Sequence, residues 1–168
     1  AEHHWRTFLQ GLLARGMRGI KLVVSDDHAG LKAARSATFH GIPWQRCQFH
    51  TIRNAMAHVP KASMRADVIQ DLKRVFNADD AAEADRRLKE MVGRYQKSAP
   101  GLATWLEANV PEALTVLGCP PAHRRRLRTT NGLERLNKEI KRRTRVATLF
   151  PNEASLLRVV SAVLSEIS

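Results

Sequence analysis

The sequence predicts a helix-dominated α/β fold in which a small parallel sheet is joined to a large all-helical segment. Near the start of the chain, two short strand-like runs lie on either side of a helical pattern. From residue 51 to about residue 121 the sequence has no convincing strand pattern, whereas helical periodicity recurs. With 168 residues, 43% of them hydrophobic, the chain has enough apolar side chains for a real core.

The first part of the chain is predicted to alternate helix and strand. Apolar residues at positions 5, 8, 9, 12 and 13 have the spacing of an amphipathic helix over residues 2–15, and this stripe predicts a core position for Trp5. The β-branched run 20–25 predicts a buried strand, and residues 29–39 predict a helix. Residues 41–47 then predict a second strand, parallel to the first.

The rest of the chain is predicted to be helical. Helical patterns occur at residues 51–58, 63–76, 80–97 and 101–117, and a Pro-Pro pair ends this region. A basic helix and an apolar stripe over 152–167 follow. We therefore expect three parts: residues 1–50, which begin the core, residues 51–121, an all-helical insertion, and residues 122–168, the closing helices of the core.

The chain is strongly basic. It has 28 Lys and Arg against 16 Asp and Glu, a net charge of +12. Ten Lys or Arg and two Glu lie between His123 and Arg145, so this segment carries about two thirds of the net charge. Such an excess indicates a polyanionic partner, of which nucleic acid is the commonest.

Other sequence features bear on the class of protein and its compartment. The apolar stretches are far shorter than the roughly 18 to 20 residues that cross a bilayer, so no membrane partner is expected. Two cysteines are too few for a disulfide framework, and no export signal is visible. We expect a cytoplasmic protein.

Asp26 directly follows the first predicted strand. Ligands and catalytic groups collect at the carboxyl ends of strands in open α/β sheets, which makes Asp26 a candidate catalytic carboxylate. Asp is also a favoured N-cap, so either Asp26 or Asp27 could instead cap the next helix. The sequence leaves both roles open for the two neighbours.

Glu134 is the second candidate carboxylate. On the predicted basic helix it shares one face with Lys138, Lys141 and Arg145. A carboxylate among cations is compatible with a catalytic site, but an ordinary ion pair between Glu134 and Lys138 on a solvated face explains the same spacing. Both interpretations stay open from the sequence.

Cys47 and His50 form a Cys-x-x-His pair directly after the second predicted strand. Together with Cys119 and His123 they would supply the two Cys and two His of a closed zinc site. The two pairs are about 70 residues apart, unlike the compact spacing of zinc modules. A buried thiol beside a hydrogen-bonded histidine is the favoured interpretation, and no zinc is expected.

Four sequence blocks, in this order, resemble the Mutator-type transposases of bacterial insertion sequences. They are residues 22–31 (LVVSDDHAGL), 44–50 (WQRCQFH), 130–144 (TNGLERLNKEIKRRT) and 150–158 (FPNEASLLR). The third block is long and unusual in composition, so its specificity is high. The resemblance covers essentially the whole chain.

The resemblance implies part of an RNase H-like fold that uses an Asp-Asp-Glu triad for strand cleavage and transfer. It assigns the second Asp to Asp26 and the Glu to Glu134, with Mg²⁺ or Mn²⁺ as the cofactor. It also implies a family-typical cation at Lys141, seven residues after the Glu, and a site-supporting role for Cys47 and His50. The family's first catalytic Asp has no counterpart in this chain, so the resemblance implies a fragment that is inactive alone.

The expected partners are the ends of an insertion sequence and target DNA, with a homo-oligomer in the intact enzyme and an association with the bacterial nucleoid. Two other functions stay open: a non-catalytic DNA-binding remnant that interferes with full-length transposase, and a basic RNA-binding protein. The residues expected to hold the DNA backbone are Arg124, Arg125, Arg126, Arg135, Lys138, Lys141, Arg142, Arg143 and Arg145.

Overall fold

In the computed structural model, which describes residues 1–146 and 150–167, most of the chain is helical. The described residues fall into two compact units, residues 1–129 and residues 130–168, of which 147–149 and 168 lie outside the description. The elements are α1 (Glu2–Ala14), β1 (Val23–Ser25), α2 (Ala29–Thr38), β2 (Trp44–Arg46), α3 (Gln48–Ala55), α4 (Arg65–Phe76), α5 (Ala81–Tyr95), α6 (Pro100–Asn109), α7 (Pro121–Leu127), α8 (Asn131–Val146) and α9 (Glu153–Ile167).

The two strands pair in parallel, which confirms the predicted strand-helix-strand unit. Val23 lies opposite Trp44, and Ser25 lies opposite Arg46. Each strand is three residues long, shorter than the run that predicted it. The neighbouring Ile20 and Ile42 instead pack against the apolar residues that α1 and α2 share.

Helices α1 and α2 pack closely against each other beside the sheet. A Cβ at Gly30 would lie 2.9 Å from the backbone nitrogen of Glu2, so this approach needs a residue without a side chain. Leu9 of α1 and Ala34 of α2 are buried in their shared core. The predicted core position of Trp5 is wrong: Trp5 is 36% exposed, whereas Leu9, four residues further along the same helical stripe, is buried.

The largest core belongs to helices α3 to α6. Val68, Leu72, Leu102 and Leu106 are fully buried there, at the helical spacing that predicted the apolar faces. The helical pattern over 101–117 is interrupted at Pro111, because proline cannot supply the backbone N–H that an α-helix needs. The chain continues there as two 3₁₀ turns, Pro111–Ala113 and Thr115–Gly118.

A buried carboxylate joins α4 to α5. Asp71 accepts a hydrogen bond from the Tyr95 hydroxyl at 2.9 Å and another from the Arg94 guanidinium at 2.9 Å. Burial of the phenol and, next, its hydrogen bond to Asp71 raise the pKa of Tyr95 to about 12. The neutral phenol therefore stabilises the fold below pH 10, and this contribution is lost as the pH rises through about 12.

Tyr95 is the only tyrosine of the chain, so an ultraviolet titration of phenolate absorbance observes this group alone. We expect a midpoint near 12 in the native protein. In Asp71→Asn the midpoint should fall towards 10 without reaching it, because the charge is lost while the burial remains. Equal midpoints in the two proteins would show that Asp71 does not act on Tyr95.

The second unit contains α8 and α9, which pack against each other. Val163 of α9 is buried, and Arg143 of α8 forms an ion pair with Glu166 of α9 at 2.6 Å. Helix α9 begins one residue after the predicted start at residue 152 and ends at the predicted residue 167, and α8 is the predicted basic helix. Among residues 1–146 and 150–167, no helix combines the length and the apolar character that crossing a bilayer requires.

Candidate functional site

The carboxyl end of β1 presents two consecutive carboxylates in different surroundings. Strand β1 ends at Ser25, and Asp26 and Asp27 follow it directly. The Asp27 carboxylate lies 3.1 Å from the Arg46 guanidinium and 3.5 Å from the Lys32 ammonium. Asp27 is thus paired with two cations of its own unit.

Arg46 is the centre of this ion-pair network. Its side chain is only 2% exposed, so its charge needs close partners. In addition to Asp27, it contacts the Glu112 carboxylate at 3.3 Å and donates a hydrogen bond to Asn109 at 2.9 Å. Lys32 completes the network by pairing with Glu112 at 2.7 Å. The network joins the strand ends to the helical segment.

Neither Asp26 nor Asp27 caps α2, so the capping role left open by the sequence is wrong for both. The N-cap of α2 is His28, whose Nδ1 accepts a hydrogen bond from the Leu31 backbone at 3.2 Å. The cap lies one residue further along because α2 begins at Ala29.

Asp26 lies in a small cluster with Cys47 and His50. One Asp26 carboxylate oxygen is 2.7 Å from His50 Nδ1, and 52% of the Asp26 side chain is exposed. One potential ligand atom from each of Asp26, Cys47 and His50 lies within 4.8 Å of the others. The sequence predicted Asp26 and the Cys-x-x-His pair separately, and the structure brings them together. Neither Cys119 nor His123 belongs to this group.

Local backbone contacts place the Cys-x-x-His pair at the strand end. The backbone nitrogen of Cys47 donates to the Ser25 carbonyl at 2.8 Å, which continues the β1–β2 ladder by one bond. Helix α3 begins immediately afterwards, so His50 lies in its first turn, beside Asp26. Cys47 is fully buried, and Thr51 donates to its carbonyl at 2.9 Å.

Two buried glutamines attach this strand end to the helical segment. The side-chain amides of Gln45 and Gln48 both donate to the Ala113 carbonyl, at 2.7 and 2.9 Å. The Gln45 side-chain oxygen accepts from the Val116 backbone at 2.6 Å. Sequence reasoning missed these residues and Arg46, although the polar side chains of Gln45 and Arg46 inside the second predicted strand were a signal of hydrogen bonding within the fold.

The second unit presents Glu134 in the first turn of α8, where the helix dipole favours a negative charge. The Thr130 hydroxyl donates a hydrogen bond to the Glu134 carboxylate at 2.8 Å. The helical face predicted for Glu134 is present. One open depression is lined by Glu134, Asn137, Lys138, Lys141, Arg142 and Arg145.

The predicted DNA-binding arginines of α8 differ in their partners. Glu139 accepts hydrogen bonds from Arg142 at 2.7 Å and from Arg143 at 2.8 Å. These hydrogen bonds hold the pKa of Glu139 at about 2. Arg143 also pairs with Glu166, so it holds α8 and α9 together. Arg135, like Lys138 and Lys141, lies on the exposed surface of α8.

The predicted DNA-binding arginines of α7 lie in the first unit. Arg124 donates to the Cys119 carbonyl at 2.8 Å and to the Asp79 carbonyl at 2.6 Å, which ties α7 to the helical segment. Arg125 and Arg126 are exposed. Arg124 therefore has structural partners, whereas its two neighbours face solvent.

Comparison with known proteins identifies the family. All of residues 1–168 match the family described as "Transposase, Mutator family". The chain belongs to the Mutator family of transposases. It is 54% identical over 167 residues to the transposase for insertion sequence element IS406 of Burkholderia multivorans, covering 99% of this chain and 43% of the relative.

Two further transposases are also similar to this chain over nearly its whole length. The transposase for insertion sequence element ISRM5 of Rhizobium meliloti is 42% identical over 162 residues, which are 96% of this chain and 40% of the relative. The transposase for element IS256 in transposon Tn4001 of Staphylococcus aureus is 33% identical over 169 residues, 99% of this chain and 43% of the relative. The chain thus spans less than half the length of these relatives.

Proposed function

We propose that this chain is part of a DNA transposase that cleaves and joins DNA strands at the ends of an insertion sequence, with Asp26 and Glu134 as two of its catalytic carboxylates. The observation that carries the proposal is the difference between Asp26 and Asp27. Asp27 is paired with Arg46 and Lys32, whereas Asp26 is half exposed at a strand end beside His50. Family membership supplies the reaction class.

The donor chemistry fits a hard divalent cation. Asp26 and Glu134 offer carboxylate oxygens, the ligands that Mg²⁺ and Mn²⁺ prefer. When bound, such ions stabilise the attacking and leaving oxygens of an in-line phosphoryl transfer. His50 orients the Asp26 carboxylate through their 2.7 Å contact, as supporting residues commonly do for ligand carboxylates. We propose that Cys47 supports the strand end and holds no zinc.

We also propose an architecture for the whole protein. The β1–α2–β2 unit and α8 would belong to an RNase H-like core, with residues 51–121 as an insertion and a homo-oligomer as the active form. Catalysis would need a third carboxylate, for which the described part of the chain offers no counterpart at another strand end, so we propose that the chain alone is inactive. Association with DNA would place the protein at the nucleoid.

The exposed cations of α8 are proposed to hold the phosphate backbone. Lys138, Lys141 and Arg145 line the same depression as Glu134, and such contacts give strong, salt-dependent affinity with little sequence information. Arg135, which is also exposed, would extend this basic surface on α8. Arg125 and Arg126 are exposed on α7 in the first unit and are proposed as separate phosphate contacts. Arg142, with 65% of its side chain exposed, remains able to join them.

The salt dependence of DNA binding tests this surface. In the variant with Lys141, Arg142 and Arg145 all replaced by Ala, duplex DNA should bind more weakly. The slope of log affinity against log salt should decrease by up to about 0.9 for each phosphate that the variant no longer neutralises. Titration of a fluorescent duplex at several salt concentrations measures both quantities.

Arg143→Ala is the matched control, because this arginine lies on the same helix but pairs with Glu139 and Glu166. It should lower thermal stability and leave the salt slope unchanged. An unchanged slope in the triple variant would remove α8 from the DNA interface. Tighter binding of RNA than of duplex DNA at equal salt would contradict the proposed partner.

A further inference from the structure

Phe49 lies on α3 between the two members of the Cys-x-x-His pair. Its neighbours Cys47 and Gln48 are buried, but the Phe49 side chain is 48% exposed. Its ring meets the His50 ring edge to face, with centroids 5.3 Å apart and an interplanar angle of 79°. His50 in turn contacts Asp26 at 2.7 Å, so only the His50 side chain lies between this exposed aromatic ring and the candidate catalytic carboxylate.

Single exposed apolar side chains are common on protein surfaces, so the position of Phe49 is what distinguishes it. Arg53 lies four residues further along α3 and is also exposed, so a cation shares the helical face of the Phe49 ring. An aromatic ring next to a cation is the combination that binds single-stranded nucleic acid: the ring stacks on a base and the cation pairs with a phosphate.

We propose that Phe49 is a stacking platform for an unpaired DNA base next to Asp26. The occupant is a single-stranded segment of DNA, because the bases of a duplex already stack on each other and offer no free face to a protein ring. The charge of +12 matches a polyanionic ligand. Every base has a π face, so this contact should favour unpaired over paired DNA without a strong preference for sequence.

This inference rests on the proposed function for its ligand, and the experiment separates the two. The probe is a single-stranded oligonucleotide that contains one 2-aminopurine, a base whose fluorescence falls when it stacks. Binding of an unlabelled duplex is measured separately at the same salt concentration. We compare the native chain with Phe49→Leu, which keeps an apolar side chain without a π face, and Phe49→Tyr, which keeps the ring.

We expect the single strand to bind about tenfold more weakly to Phe49→Leu, with the fluorescence change abolished. Phe49→Tyr should retain both, and duplex affinity should be equal in all three proteins. Phe8→Leu is the matched control, because Phe8 is similarly exposed at 51% but lies on α1 against Trp5. It should bind like the native chain.

Three results would overturn the inference in different ways. Equal single-strand binding by the native chain and Phe49→Leu removes stacking and leaves the DNA-binding proposal intact. Absence of salt-dependent binding to either DNA removes both. The third result is a Phe49→Leu variant with an altered oligomeric state or thermal midpoint but with no specific loss of single-strand binding. That result would show that Phe49 is covered by protein instead of by a DNA base.

Discussion

If the proposed function holds, replacement of Asp26 by Asn should abolish strand cleavage in a transposase that carries this sequence. The amide keeps the size of the side chain but lacks the negative charge that a divalent cation needs. Loss of several kcal/mol of transition-state stabilisation corresponds to a decrease in rate of about a thousandfold or more. Cleavage of a labelled DNA that carries the insertion-sequence end measures the effect.

Asp27→Asn is the control, because it alters the adjacent carboxylate in the same way. This variant should retain its metal dependence and lose folding stability instead, since Asp27 pairs with buried Arg46. His50→Ala should fall between them, with a loss of about 10- to 100-fold, as expected for a group that orients a ligand. A metal-dependent rate that fell in Asp27→Asn and stayed native in Asp26→Asn would reverse the two roles.

Replacement of Glu112 by Ala is expected to destabilise the first unit by about 3 kcal/mol. The Arg46 side chain is 2% exposed, so its charge would be left buried with one carboxylate fewer. The loss lies at the low end for a broken buried ion pair, because Asp27 and Asn109 remain in contact with Arg46. Chemical denaturation at neutral pH gives the free energy of unfolding.

Glu107→Ala is the matched control for this prediction. Glu107 is exposed on α6, close in sequence to Glu112, and its loss should change the free energy of unfolding by no more than about 0.5 kcal/mol. Glu112→Gln should cost less than Glu112→Ala, because the amide can still accept the Arg46 hydrogen bond. Equal stability of native protein and Glu112→Ala would show that the network does not support the fold.

Much of the local structure could be predicted from the sequence because it depends on local periodicity. The apolar stripe of α9 and the strand-helix-strand unit are signals within a few turns of chain, and both are present. The placement of Asp26 at a strand end followed from the same pattern. The face shared by Glu134 and Lys141 followed from the helical repeat alone.

The division of roles between Asp26 and Asp27 could not be predicted in this way. It depends on Arg46 and Glu112, which are 66 positions apart in sequence and meet only in the folded chain. The same holds for the contact of Asp26 with His50, since neither the strand pattern nor the Cys-x-x-His spacing indicates which side chains face each other. The prediction for Trp5 was wrong for a different reason. A helical stripe predicts which residues share a face, but tertiary packing decides how much of that face is covered.

Mn²⁺ binding by this chain, followed by electron paramagnetic resonance of the free ion, tests directly whether Asp26 holds a metal ion. We expect binding by the native chain that disappears in Asp26→Ala. Binding should persist in Glu139→Gln, which alters a carboxylate of helix α8 that is paired with Arg142 and Arg143. Binding that is unchanged in Asp26→Ala, or that is abolished in Glu139→Gln, would contradict the assignment of Asp26 as a metal-holding carboxylate.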